Sequence, residues 1–340
     1  MGRFFYLLLA AIPVSIYGKF ADHPTLMFFS ACLAIIPLAG IMGKATESLA
    51  SYTGERVGGF INATFGNATE LLITVFALQA GLYDVVKASI AGSIMGNILL
   101  VLGLAILAGG LKNGSQSFDR VHVNNQTSLM FLAVIALIIP AVFFASPGQA
   151  DKLGNFSVVV AAILLLIYLS GLVFAIKRSG GTSEIKSGRW SRSLSVVLLG
   201  LTTVVIAIES ELLVAGIESV THLLGWSTFF IGIVIIPIIG NAAEHFTAVL
   251  MAWKNKIDLA FEIAVGSSTQ MAMLITPLLV FLGLFLNRPM NIMFNFHEIV
   301  SVALAVLIAQ FVSLDGESNW LEGSLLVAAY AIMAIAFYFI

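Results

Sequence analysis

A single cysteine, Cys32, occurs in the chain, which excludes an internal disulfide and any cysteine-rich metal or iron–sulfur site. It reads as a small apolar residue inside a helix. Charge is nearly as scarce: Asp, Glu, Lys and Arg make up 10% of the 340 residues, against about 25% in a soluble domain. Net charge is −2, so there is no basic surface of the kind nucleic acid requires. No polar stretch is long enough to fold as a soluble domain. The chain also lacks a His-Glu-x-x-His helix and any Ser/His pair at motif spacing, so nothing in it argues for an enzyme or a resident cofactor.

What the chain has is apolar residues, 59% of the total, with a mean hydropathy of +1.03. That composition belongs to an all-α polytopic membrane protein whose outer surface faces the lipid bilayer. Apolar runs of membrane-spanning length fall near 4–20, 25–50, 58–80, 86–110, 125–146, 154–177, 192–222, 226–253, 258–286, 294–313 and 319–340, which makes eleven transmembrane helices. Polar or Pro/Gly punctuation such as Asp22-His23-Pro24, Ser146-Pro147-Gly148 and Asn287-Arg288-Pro289 separates them. The first run is read as a membrane helix, because no small-x-small cleavage site follows it cleanly.

With the N-terminus in the cytoplasm, the inner loops receive twelve of the sixteen Lys and Arg residues and the outer loops four. The bias supports that orientation.

One element occurs twice. Gly66-Asn67-Ala68-Thr69-Glu70 and Gly240-Asn241-Ala242-Ala243-Glu244 lie 174 residues apart, and the same offset maps Gly92-Ser93 onto Gly266-Ser267 and Asp84 onto Asp258. The copies fall in the third and eighth spans. Their positions differ by five, an odd number, so they cross the membrane in opposite directions, an inverted repeat with its site near the midplane. The chain then divides into an extra N-terminal helix (1–22), a first five-helix repeat (25–177), a cytoplasmic linker (178–191) and a second five-helix repeat (192–340).

A charged side chain at the centre of a membrane helix costs about 3 kcal/mol or more and generally faces a partner, a cavity or an ion. Glu70 and Glu244 stand in such contexts twice over. Asn67 and Asn241 precede them by three residues, on the same helical face. Carboxylate and amide oxygens are hard ligands suited to Ca²⁺. Gly66 and Gly240 are places where a helix can break and offer backbone carbonyls, or simply pack closely. Ser93, Asn97, Ser267 and Gln270 can add neutral oxygens to the ion or its waters, or act as polar glue between helices. His245, beside Glu244, is a candidate proton relay. Glu47 and Glu211 are auxiliary candidates for proton coupling or the entry path.

These motifs together resemble the cation/proton exchanger family, the Ca²⁺/H⁺ antiporter branch of the Ca²⁺/cation antiporter superfamily. The resemblance runs from about Gly40 to the end. It implies eleven helices arranged as one extra helix plus two inverted five-helix halves. It also implies a cation site on Glu70 and Glu244 supported by Asn67, Asn241, Ser93, Ser267 and Gln270. The linker departs from the family pattern, with Glu184 alone among basic residues where many members carry an acidic segment. Short loops look prokaryotic and favour the cell membrane.

The expected activity is exchange of cytoplasmic Ca²⁺ for external H⁺ by alternating access. An empty, doubly charged glutamate pair is costly to carry across the barrier, so either Ca²⁺ or protons must neutralise it first. A Na⁺/Ca²⁺ exchanger is the alternative, although the acidic residue expected near Ser267 to Gln270 is absent; an ion channel is a further one. The sequence leaves homo-oligomerisation open.

Overall fold

The computed structural model describes residues 3–144, 150–178 and 190–340. Most of the 178–191 linker, including Glu184, lies outside the described residues. The apolar runs form helices because, at membrane depth, each backbone polar group must bond within its own segment. In order these are α1 (residues 3–20), α2 (Pro24–Phe65), α3 (Ala68–Gln79), α4 (Tyr83–Asn113), α5 (Arg120–Phe143), α6 (Ala150–Arg178), α7 (Arg192–Leu224), α8 (Thr228–Gly240), α9 (Ala242–Trp253), α10 (Ile257–Phe285), α11 (Phe296–Val312) and α12 (Trp320–Tyr338). Among the described residues, seven helices are long and apolar enough to cross a membrane, or eight if α8 and α9 form one bent span. Shorter apolar helices are Phe5–Phe20 within α1, then α3 and α11. The one sheet among the described residues is a two-residue pairing, Gln116–Ser117 against Glu317–Ser318, which clips the α4–α5 and α11–α12 loops together.

Helix starts follow local chemistry. Ser191 accepts from Leu194 N–H at α7, and capping boxes Asn295/Glu298 and Asn319/Glu322 open α11 and α12. Gly225, with φ +69°, ends α7 in the left-handed conformation that glycine adopts without strain.

Helix α2 is not straight. A Cβ on Gly58 would come 2.8 Å from the carbonyl oxygen of Ala50, whereas positions eight residues apart in a straight helix are separated by about 12 Å. The chain therefore folds back between them. This accounts for the two expected runs, 25–50 and 58–80, meeting inside one helical stretch.

Among the described residues, three helices contain a π-helical turn: Gly96–Val101 in α4, Ile231–Ile235 in α8 and Met271–Ile275 in α10. Such turns re-aim side chains and recur at functional sites. The first and third occupy corresponding places under the 174-residue offset.

The core is centred on α4, where Ile90, Ile94, Met95, Ile98 and Leu99 are fully buried, and on the facing residues of α10 and α8. Between helices, packing and close backbone approach replace the hydrophobic drive. Gly103 of α4 lies against Leu326 of α12, so closely that a Cβ on the glycine would come 2.8 Å from Leu326 Cβ. A smaller cluster of Leu38, Met42, Ala45, Ala68, Leu199 and Ile206 joins α2, α3 and α7, with Leu9 and Ile12 of α1 against it.

Candidate ion-binding site

Both copies of the repeated element break a helix at the asparagine. Asn67 (φ −101°, ψ 24°) separates α2 from α3, and Asn241 (φ −96°, ψ 5°) separates α8 from α9. At the second break the axes differ by 58°. In each case the glutamate falls in the first turn of the helix that follows. The free N–H groups and positive dipole end there favour a negative charge, by about 0.3–1 kcal/mol. That is one physical reason a carboxylate is tolerated so deep in the chain.

The two asparagines are held differently. Asn67 Nδ2 donates to Gln270 Oε1 at 2.6 Å, and Ser267 Oγ donates to Asn67 Oδ1 at 2.7 Å. Asn241 Nδ2 donates to the Pro237 carbonyl at 3.0 Å and, more weakly, to Ser93 Oγ at 3.4 Å. Ser93 and Ser267 are equivalent under the repeat, so each half's serine contacts the other half's asparagine. This cross-bracing joins α3 to α10 and α8–α9 to α4. Gln270 corresponds to Gly96, so the first asparagine has an amide partner that the second lacks.

Glu70 is 1% exposed and Asn241 1%. Glu70 lies against Gly240, four residues before Glu244, and Ser267 lines the same cavity as Glu244. Glu70 Oε1, Glu244 Oε2 and Asn241 Oδ1 are buried oxygens without a hydrogen-bond partner among the described residues. Buried polar atoms are nearly always paired. Three lone oxygens on adjacent residues form a set of hard donors suited to a cation. Among the described residues no cluster of three or more His, Cys, Asp or Glu could hold a metal.

A cavity of about 410 Å³ reaches the site from one side. Lys44, Glu47, Glu244, Lys254, Glu262 and Gln270 are among the residues that line it, whereas Glu70 and Asn241 are not. Helices α4 and α8 meet at close range, backbone against backbone. A Cβ on Gly92 would collide with the backbone of Ile233, and one on Gly232 would come 2.8 Å from Ala88 Cβ. The repeat-related Gly266 borders the cavity instead, with nothing nearer than Gln126 Oε1 at 3.5 Å from its Cβ position. The repeated glycines thus stand in different arrangements: Gly92 is packed against another helix and Gly266 borders a cavity.

The structure brings Glu70, Glu244, Asn67, Asn241, Ser93, Ser267 and Gln270 together. Gly66 and Gly240 border the cavity, and Gly240 lies directly against Glu70. Asn97 is buried at the π-helical turn of α4 with its Nδ2 unpartnered. His245 is half-buried beside Glu244 and does not line the cavity. Glu47 does. Glu211 does not: it is exposed and pairs with Lys19 at 3.5 Å. Sequence reasoning passed over Glu262 and Gln126, whose side chains bond at 3.1 Å beside Gly266. The spacing Glu262, Gly266, Gln270, one helical turn each, was the signal available.

A family profile described as sodium/calcium exchanger protein matches residues 23–177 and 194–339. The Ca²⁺/H⁺ antiporter ChaA of Bacillus subtilis (strain 168) is 44% identical over 350 residues, covering 99% of each chain. The structure of native YfkE superposes with a TM-score of 0.88 at 43% identity, over 99% of this chain and 100% of that one. The structure of the H⁺/Ca²⁺ exchanger CAX, at 15% identity, shares the fold with a TM-score of 0.73 over 98% of this chain and 92% of that one. With two matched segments spanning nearly its whole length and a near-full-length relative at this identity, the chain belongs to the sodium/calcium exchanger protein family.

Proposed function

We propose that the protein exchanges cytoplasmic Ca²⁺ for external H⁺ at one site made by Glu70 and Glu244. The observation that carries this reading is the set of unpartnered buried oxygens on Glu70, Glu244 and Asn241, with Glu244 lining a cavity of about 410 Å³. Such a site can be satisfied by a divalent cation or by protons on the carboxylates, and not fully by both. The restriction that only a neutralised site crosses the barrier makes the exchange obligatory. Asn67, Ser93, Ser267 and Gln270 hold the set in shape, with Asn97 and His245 further out. Glu47 lies on the entry path.

Counting α8–α9 as one span, splitting α2 at its fold and joining its second part to α3 gives eleven spans, with 25–177 and 192–340 as inverted five-helix halves. In that layout the cavity opens to the cytoplasm, since Lys44 and Lys254 at its mouth belong to the basic inner loops. Alternating access would close Gly266 as Gly92 is closed here, while Gly92 separates from Ile233. The location is the cell membrane, with the N-terminus inside.

Relatives described as Ca²⁺/H⁺ antiporters support protons rather than Na⁺ as the counter-ion. So does the absence of an acidic residue between Ser267 and Gln270. The test is transport by purified protein in sealed vesicles under a pH gradient without Na⁺, following ⁴⁵Ca uptake and lumenal pH together. Coupled opposite fluxes that vanish in Glu244→Gln are expected. Calcium flux that ignores the pH gradient and follows Na⁺ would overturn the reading.

A further inference from the structure

A third carboxyl group is buried in the bundle, away from the exchange site. Glu209 of α7 is 0% exposed, and so is Ser15 of α1, which it touches. Ser15 Oγ lies 2.9 Å from Glu209 Oε1 and 2.7 Å from the Ile12 carbonyl oxygen. A hydroxyl has one proton to give, and a carbonyl oxygen can only accept. If the Ser15 proton goes to Ile12, the proton in the second contact must come from Glu209. Its other oxygen, Oε2, is buried with no partner. Lys19, the cation this interface does hold, stands one helical turn along α1 and is taken by Glu211 at 3.5 Å. A bare carboxylate sealed against one hydroxyl would be an unpaired buried charge, which proteins avoid by neutralising the group.

We propose that Glu209 is a neutral, proton-bearing carboxyl that fastens α1 to α7 through Ser15, so that the two helices travel as one unit. Neighbouring contacts favour this. Gly18 of α1 packs its backbone against Met27 of α2, and Leu9 and Ile12 join the cluster that links α2, α3 and α7. Helix α7 in turn packs against α3, which carries Glu70. The extra N-terminal helix is thereby attached to the helices bordering the site, and Glu209 is a positioning residue. The statement about movement rests on the exchange reading above; the statement about the proton does not.

Two measurements test it. Infrared difference spectra of wild type against Glu209→Gln read the protonation state directly. Loss of one carbonyl band of a protonated carboxylic acid is expected, with exchange kept near the wild-type rate because Gln preserves a neutral partner for Ser15. Loss of a carboxylate band instead overturns the assignment. For the movement, Lys19→Cys and Glu211→Cys are combined with Cys32→Ser and bridged by a short bismaleimide. Exchange should survive bridging. Exchange present before bridging and lost after it overturns the shared movement while leaving the exchange reading intact. If wild type shows no coupled flux, the exchange reading fails, and the infrared result still decides the state of Glu209.

Discussion

Glu70 and Gly240 belong to opposite halves of the chain and touch: a Cβ on Gly240 would come 3.2 Å from Glu70 Oε1 and 3.3 Å from its Cδ. The glycine that opens one copy of the motif is therefore the floor beneath the carboxylate of the other. Gly240→Ala should displace the Glu70 carboxylate, with a stability cost of about 1–3 kcal/mol, the range for overpacking. Calcium titration should show the larger effect, a weakened affinity in a folded protein. Unchanged binding would mean that the carboxylate position does not matter.

Glu70→Gln and Glu244→Gln should each abolish exchange while the protein still purifies as a folded species. Removing one carboxylate leaves a buried divalent ion with half its counter-charge, and losing one partner of a buried charge pair costs about 3–5 kcal/mol, or roughly two to four decades of affinity. Binding isotherms of both variants check this, and wild-type affinity in either would refute the two-glutamate site.

Calcium affinity should fall as pH falls. Protons and Ca²⁺ compete for the same oxygens, so acidification loads protons and weakens the ion. If two protons leave for each ion bound, the apparent affinity drops by up to about 100-fold per pH unit through the titrating range. Titrations at several pH values give the slope, and a slope of zero would exclude shared ligands.

Asn67→Ala should leave both Gln270 and Ser267 without their partner, at about 1–3 kcal/mol for each buried group stranded. A thermal-melt cycle with Ser267→Ala should be non-additive, since the two residues share one bond of 2.7 Å. Additive losses would separate Ser267 from the bracing of the site.

Gly92→Ala should prevent the closed contact with Ile233, because the added methyl meets backbone that cannot move aside as a side chain can. Thiol labelling should rise in a cysteine placed at Ser93. Labelling equal to that of the glycine-bearing protein would show that the contact tolerates a methyl group.

Much of the site was legible because its residues are unusual for their surroundings. A glutamate three residues after an asparagine, twice, in apolar sequence has few explanations, and the serines fell out of the same 174-residue offset. Glu211 read as an equal of Glu47 because both lie in the helices just before the repeated element. One lines the cavity and the other pairs with Lys19 on the outside, a difference of helix rotation that local sequence does not encode. Glu209 drew no reading of its own from the sequence, because its partner Ser15 lies 194 positions away on α1.

Composition and periodicity were enough to require a bundle of membrane helices, since lipid leaves the backbone no other way to satisfy its hydrogen bonds. The duplicated motif was enough to mark two glutamates as a pair. Tertiary packing alone settled which oxygens are left without partners, that Gly92 is packed against another helix while Gly266 borders a cavity, and that Asn67 and Asn241 are braced differently. Two similar segments can be packed in two different ways, and most of the contacts that distinguish them come from residues about 140 to 200 positions away, beyond the reach of any local pattern.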